Sequence, residues 1–428
     1  MKRYEAYKEC NIPWIKQIPS HWMTTRAKFL YKKEQRPVRE EDSVVTCFRD
    51  GMVTLRKNRR TTGFTEAISE FGYQGIRKGD LVIHVMDAFA GAIGVSDSDG
   101  KGTPVYNVCT ACGDSNNYYY AYALREMART GFIQSLYRGI RERSSDFRFD
   151  VFARQYLPVP PREEQDQIVR YLDWQVSKIN RLISAKRKEV ELYKEQMCKV
   201  FSVSSSENQK VRLKRVCDLV FQPVDIRPDA MYCKTGMYNR GRGIFRREPM
   251  LGCELGDSMF QHIDRNHVMI SGQFAWEGAA YVTSEADEEG IVSHRYYLLK
   301  PTRVTAEYIW AYLMSDKGLL EMLICSHGSA GRNRPLNIEE LLNTYIPLPN
   351  SEADEKRVIS AVRALMYIYR QKERVFQLYE QLRTRLISDV VTGQVDVRGI
   401  EVPEFEYVGE ADVAGEQDEE ETEEEVDG

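Results

Sequence analysis

The sequence has no long apolar run. Its longest near-apolar stretch is Ala88–Val95, far below the roughly 20 residues a membrane-spanning helix needs, so no membrane association is expected. The opening residues Met1-Lys2-Arg3-Tyr4-Glu5 lead into polar sequence without the apolar core of a secretory signal. Nine cysteines scattered over 428 residues are an odd number and form no disulfide framework, which points to a reducing, cytoplasmic setting.

Catalytic signatures are also missing. A base methyltransferase needs an Asn/Asp-Pro-Pro-aromatic loop for the flipped base, whereas Pro160-Pro161 stands between Val159 and Arg162. A phosphate-binding loop needs Gly-x4-Gly-Lys-Ser/Thr. From Gly94 to Gly100-Lys101 there is one residue too many, and Gly102 follows the lysine. Cys109-Thr-Ala-Cys112 has metal or redox spacing but no second pair, so reduced core cysteines are the better reading. The six histidines form no His-Glu-x-x-His motif, and Asp354-Glu355-Lys356 falls where a helix should begin, so its acids read as first-turn charge. No catalytic residue, metal site or cofactor is expected on this chain.

What is present is hidden by the net charge of −4. Positions 401–428 hold fourteen acids and no Lys or Arg, leaving 60 basic against 50 acidic residues over 1–400, a net of +10. A basic body with an acidic tail suits a polyanionic partner. Nine of those acids lie between Glu416 and Asp427, too polar to bury anything, so the tail after Glu401 is expected to be disordered.

The chain is also built twice. Tyr156-Leu-Pro-Val-Pro-Pro161 recurs as Tyr345-Ile-Pro-Leu-Pro-Asn350, an offset of 189. At that offset Gly139 falls on Gly328, and Phe147–Phe152 on Leu336–Leu341; Arg77–Leu81 has a looser echo in Ile270–Phe274. A period this long is a duplicated domain. Each proline segment precedes a helical run. Leu172, Val176, Ile179, Ile183, Val190, Tyr193, Met197 and Val200 step by threes and fours. So do Val358, Val362, Leu365, Tyr369, Phe376, Tyr379, Leu386 and Val390. Lys186 and Lys372 each fill one seam position, as a register device or by snorkelling. A narrow seam needs a partner, and the repeat supplies one. Upstream of each helix lie short strand-like runs such as Leu81–Ile83 and Tyr296–Leu299, with short helices near Tyr118–Met127 and Ala306–Met314.

The strongest polar cluster in the first repeat is Arg56, Lys57, Asn58, Arg59, Arg60 and Thr61; the second has Lys234, Asn239, Arg240, Arg242 and Arg246. Arg and Lys suit phosphates or guanine, Asn adenine, and Thr a phosphate or a thymine methyl. The alternative for each is a solvated charged loop. Arg141 and Arg143, and Arg332, Asn333 and Arg334, lie in basic turns of the two copies that either contact phosphates or cap a helix. Met86–Gly91 and Trp276–Ala279 read as small-residue loops after strands, with Phe89 and Trp276 expected in the core.

Three segments carry a family resemblance: Asn11–Trp14 through Ile18-Pro-Ser-His-Trp22; Tyr156–Gln165; and Leu386-Ile-Ser-Asp-Val-Val-Thr-Gly-Gln-Val-Asp-Val-Arg398. Over positions 4–398 the chain resembles the specificity subunit of a type I restriction-modification system. The resemblance, with the duplication, implies an α+β fold in which two pseudo-repeated mixed α/β target recognition domains are separated by two long helices forming an antiparallel coiled coil. The expected divisions are 1–157 and 204–347 for the recognition domains, 158–203 and 348–393 for the helices, and 394–428 for an acidic C-terminal segment. Each domain would read half of a bipartite site in double-stranded DNA. Two methyltransferase subunits would dock on the helices, with Tyr171, Trp174, Tyr367 and Ile368 offered beyond the seam, and motor-nuclease subunits would join that core. S-adenosylmethionine, and ATP and Mg for restriction, belong to those partners. A methylation-only system and a scaffold without DNA readout are the alternatives.

Overall fold

The computed structural model describes residues 2–59, 71–136, 146–256, 258–328 and 334–409, with only the backbone at 206–208 and 373. It divides into two compact units, 1–184 with 378–428, and 185–377. The expected divisions ran at the helix ends. The units instead divide inside both long helices, Arg162–Ser204 and Glu352–Val391, so each contains one repeat and a part of each helix.

In the first unit, β1 (Tyr31–Lys33), β2 (Leu81–His84), β3 (Ile93–Val95) and β4 (Tyr106–Ala111) form an antiparallel sheet in the order β1-β4-β2-β3. Leu81, Val82, Ile83, Val108 and Cys109 are fully buried, which explains why β2 reads as an unbroken apolar run. Helix α1 (Asn117–Arg129) packs on β3. Asn116 caps it by accepting the amides of Tyr118 and Tyr119, satisfying two otherwise orphaned donors. Tyr119, Tyr120, Leu124 and Met127 face inward.

The second unit repeats this construction. Strands β5 (Cys217–Val220), β6 (Val268–Ser271), β7 (Ala280–Val282) and β8 (Tyr296–Pro301) take the order β5-β8-β6-β7. Helix α2 (Ala306–Leu313), capped by Thr305, packs on β6 and β7. The proline segments become strands paired to Met23–Arg26 in one unit and to Ser205–Arg212 in the other. Phe147 and Leu336 are both buried, as are Phe152 and Leu341. The Arg77–Leu81 echo, however, is misplaced. Gly79 (φ 90) donates to Ser96 O, and its counterpart is Asn266 (φ 59), which donates to Thr283 O. The offset is therefore 187 here. Asn is one of the few non-glycine residues that tolerate this backbone, so the match is conformational rather than literal.

The helical seams form within each unit. In the first, Leu172, Val176, Ile179 and Ile183 are buried, as are Leu386 and Val390. Arg383 Nη1 donates to Asn180 Oδ1 at 3.3 Å, and Gln167 Nε2 to Val397 O at 3.0 Å. One numbering falls as the other rises, so the segments run antiparallel. In the second unit Val190, Met197 and Phe201 share a core with Val358, Val362, Leu365 and Tyr369. There Arg187 stacks on Phe376, and the Asn350 amide donates to Ser204 O, again antiparallel. Lys186 is held by Glu189 at 2.7 Å, and Lys372 lies 5.1 Å from the Phe376 ring. Among the described residues no helix is long and apolar enough to cross a membrane.

Candidate nucleic-acid interface

In the second unit a hairpin, Thr235–Tyr238 with Gly243–Arg246, projects the tip Asn239–Arg242. The tip is fixed to the 3-10 turn Ala275–Glu277 that follows β6. Arg240 N donates to Glu277 O and Gly241 N to Gly278 O, both at 2.9 Å, and the Asn239 amide donates to the Glu277 carboxylate. Gly241 is required: its φ is +66, and a Cβ would sit 2.7 Å from the Met314 sulfur. Arg240 is exposed in the left-handed region, an unusual conformation for a non-glycine residue that the tip contacts hold in place. Arg242 Nε donates to Asn239 O and its guanidinium covers Tyr238. On the same turn Trp276 is half-buried, not a core residue, and the Arg334 guanidinium stands 5.2 Å from its ring. Asn239, Arg240, Arg242, Trp276 and Arg334 are thus assembled around one turn. Lys234 and Arg246 lie at the base of the hairpin, over Phe260 and paired with Glu289 respectively.

The first unit uses the same elements. Its hairpin, Val45–Cys47 with Val53–Leu55, turns through Phe48–Met52, and Arg49 pairs with Asp87 at 2.9 Å beside the 3-10 turn Ala88–Ala90. Phe89 on that turn is half-buried rather than core. Of the expected cluster, Arg56 and Asn58 bond the strands at the other end of the hairpin, while Arg59 reaches back to its turn. Asn58 Nδ2 donates to Thr54 Oγ1 at 2.8 Å, and Arg56 Nε to Thr46 Oγ1 at 3.4 Å. Arg59 bridges Asp50 and stacks on Phe48 at 4.4 Å, so much of its charge is spent on shaping the hairpin. Lys57 is exposed. Arg60, Thr61, Arg141, Arg143, Arg332 and Asn333 lie outside the described residues.

Sequence reasoning missed Arg49, Arg125, Arg129 and Arg383, which with Phe89 and Tyr122 line an open groove of about 270 Å³ in the first unit. The available signal was Asp50-Gly51 between two apolar runs, a hairpin pattern that makes Arg49 a tip residue; Gly51 has φ 88. Near the groove, burial pushes the Asp173 carboxyl up to about 6, while Tyr122 Oη donates to it at 2.8 Å. Cys109 is a buried strand residue whose thiol burial pushes up, and Cys112 is exposed. Among the described residues no three His, Cys, Asp or Glu side chains are grouped to hold a metal ion.

The three resemblance segments meet in the first unit. Buried Glu164 accepts from Tyr4 Oη at 2.5 Å and Trp22 Nε1 at 3.0 Å, and bonds His21 Nε2 at 2.8 Å. Gly393 (φ +74) lies so close that a Cβ would stand 2.4 Å from Pro19 Cδ and 3.0 Å from the Trp22 ring. The Gln394 amide donates to Gln17 O, Asp396 N donates to Lys2 O, and Arg398 covers the Tyr4 ring.

Two expectations on the helices need correction. Tyr171 is 4% exposed and Ile368 8%, and Ile368 belongs to the second unit's core; the wide packing stripe takes in positions next to the seam. Trp174 is half-buried under Lys178, and Tyr367 is 62% exposed. The tail expected to be disordered after Glu401 is bonded to the first long helix at 406–408. Val408 N donates to Ser177 Oγ, Asn180 Nδ2 donates to Val408 O, and Arg181 donates to Glu406 O. Side chains of the first long helix thus hold the backbone of 406–408, where Phe405, Tyr407 and Val408 accompany the acids. Positions 410–428 lie outside the described residues.

No family model matches the sequence. It is 22% identical over 326 residues to the type I restriction enzyme MjaVIII specificity subunit of Methanocaldococcus jannaschii, covering 67% of this chain and 72% of that one. A solved chain of a type I R-M system, described for its complex assembly and conformational transition, aligns over 88% of this chain and 99% of its own, with a TM-score of 0.56 at 15% identity. The chain is similar to type I restriction specificity subunits. Its mixed α/β repeats and long helices reproduce that fold. The S subunit of M. genitalium also aligns, at 13% identity over 91% of this chain and 99% of its own, with a TM-score of 0.45.

Proposed function

We propose that the chain is the non-catalytic DNA-recognition subunit of a type I restriction-modification complex. One observation carries the reading. The same sheet, hairpin and 3-10 turn occur twice in a chain similar to specificity subunits, each with an arginine at the hairpin tip. Two readers in one chain suit a bipartite double-stranded target, because half-site spacing follows reader spacing. The readers differ in side chains, Arg49 and Asp87 against Arg240, Glu277 and Trp276, so the half-sites differ too. The arginines serve phosphates or guanine edges. Adenine methylation and cleavage belong to two methyltransferase subunits and the motor-nuclease subunits. These bring S-adenosylmethionine, ATP and Mg, and exposed Tyr367 and half-buried Trp174 are the docking positions that remain on the helices. The site of action is the cytoplasm, where the DNA is. Sequencing methylated adenines in cells with and without this gene tests the proposal. A split motif should vanish with the gene, and an unchanged methylome refutes it.

A further inference from the structure

The arginines at the two hairpin tips are held in different ways. In the first unit Asp50 accepts Met52 N at 3.1 Å and is bridged by Arg59, whose guanidinium covers Phe48. Gly91 (φ +91) lets the 3-10 turn lie against this tip, since a Cβ there would stand 2.8 Å from Arg49 O. Arg49 reaches the turn through one contact, from Nη2 to Asp87 Oδ1 at 2.9 Å. Asp87 is oriented in its turn by His84. The His84 Nδ1 accepts Asp87 N at 3.1 Å, so the proton of the neutral ring sits on Nε2, which faces the Asp87 carboxylate at 3.6 Å. Burial lowers the pKa of that ring and keeps it neutral near pH 7.

The second unit keeps the cap and lacks the acid. His84 N bonds Ala92 O, and Ser271 N bonds Ala279 O, so the positions correspond at the offset of 187. Ser271 Oγ accepts Phe274 N as His84 accepts Asp87 N. Phe274 therefore stands where Asp87 does, and among the described residues no acid pairs with Arg240.

We infer that Arg49 reads a guanine in the first unit's half-site, with Asp87, set by His84, as its positioning residue. This rests on the DNA-recognition role proposed above. A phosphate contact needs no orienting acid and is weakened by one, because the carboxylate repels the DNA backbone. Guanine presents O6 and N7 along one edge and rewards a guanidinium fixed in orientation. Asp87 engages one Nη2 hydrogen, which leaves the second Nη2 hydrogen and those on Nη1 for that edge. The Arg49 side chain is 67% exposed, so the edge can reach it.

The test reads methylated adenines by genome sequencing, in cells that carry the whole system with single variants of this chain. Arg49→Ala should lower the preference for a G·C pair by about 10-fold or more at one position of one half-site, leaving the other half-site intact. Asp87→Ala should relax that same position and no other. The Asp87 side chain makes no capping bond to its turn, so its removal leaves the backbone supported. A relaxed position that is not G·C overturns the inference. So does weakening of every position in the half-site, which marks a merely structural role. A motif that Asp87→Ala leaves unchanged also overturns it, and tighter DNA binding in that case identifies a phosphate contact. Methylation that does not depend on this chain at all refutes the recognition role itself, so the two failures are told apart.

Discussion

Replacing Glu164 by Ala should cost the first unit much of its stability. The carboxylate accepts from the buried Tyr4 hydroxyl and Trp22 indole and bonds the half-exposed His21 ring. Truncation leaves the two buried donors unmatched, at about 1–3 kcal/mol each, and opens a small void beside Trp22. A total of about 3–5 kcal/mol follows, which in a unit of this size lowers Tm by roughly 6–20 °C. Glu164→Gln keeps an acceptor oxygen for Tyr4 and Trp22 and should lose less than half as much. Tyr4→Phe removes one donor and one bond and should cost about 1 kcal/mol. Calorimetry on the four proteins at one pH decides it. An Ala variant melting within 1 °C of the parent refutes the idea that this carboxylate ties the three segments together.

Gly393→Ala should destabilise by about 1–3 kcal/mol in urea titrations, from its positive φ and the clash with Pro19; a neutral effect would mean the 393–398 segment can leave Trp22. Asp173 titrates near 6 when folded against about 3.9 unfolded. Its ionised form is thus disfavoured by folding, and it lowers stability progressively as pH rises from about 4 to 6, then by a constant amount. Asp173→Asn keeps an acceptor for Tyr122 and should gain about 1–2 kcal/mol over the parent at pH 7.5 and nothing at pH 4, read by urea unfolding at both pH values. Arg240→Ala should degrade one half of the methylated motif and leave the other intact, whereas a phosphate-only role would weaken both and reduce the salt slope by about 1; methylome sequencing and binding across a salt series separate the two.

The sequence revealed the elements governed by periodicity and literal repetition. The helical seams were legible because Val176, Ile179, Val358 and Val362 have no use outside a packed stripe. The fully buried β2 was legible for the same reason. The offset drift from 189 to 187 was not, because Gly79 and Asn266 share a backbone angle rather than a side-chain type. Tyr171 and Ile368 were assigned outward because periodicity marks the centre of a packed stripe better than its edges. The candidate interface was half legible. Charge density pointed to Arg56–Arg59, where Arg59 is tied to Asp50, and passed over Arg49, a single arginine in a short turn. The groove was out of reach, since it is assembled from residues as distant in sequence as Arg49 and Arg383.

The bonds between Lys2 and Asp396, and between Gln17 and Gln394, carry a topological consequence. In the second unit the first long helix passes directly into the strand Ser205–Arg212. In the first unit the equivalent passage, from the second long helix to the strand Met23–Arg26, is made by two separate stretches of chain lying side by side. The order of elements is therefore a ring, and the observed chain is that ring opened at one of two equivalent joints. Joining the segments near Asp396 and Lys2 and opening the peptide between Ser204 and Ser205 would yield a permuted chain with the same strands, caps and seams. Its folding would depend on whether Asn350 still holds Ser204 once that residue has become an end.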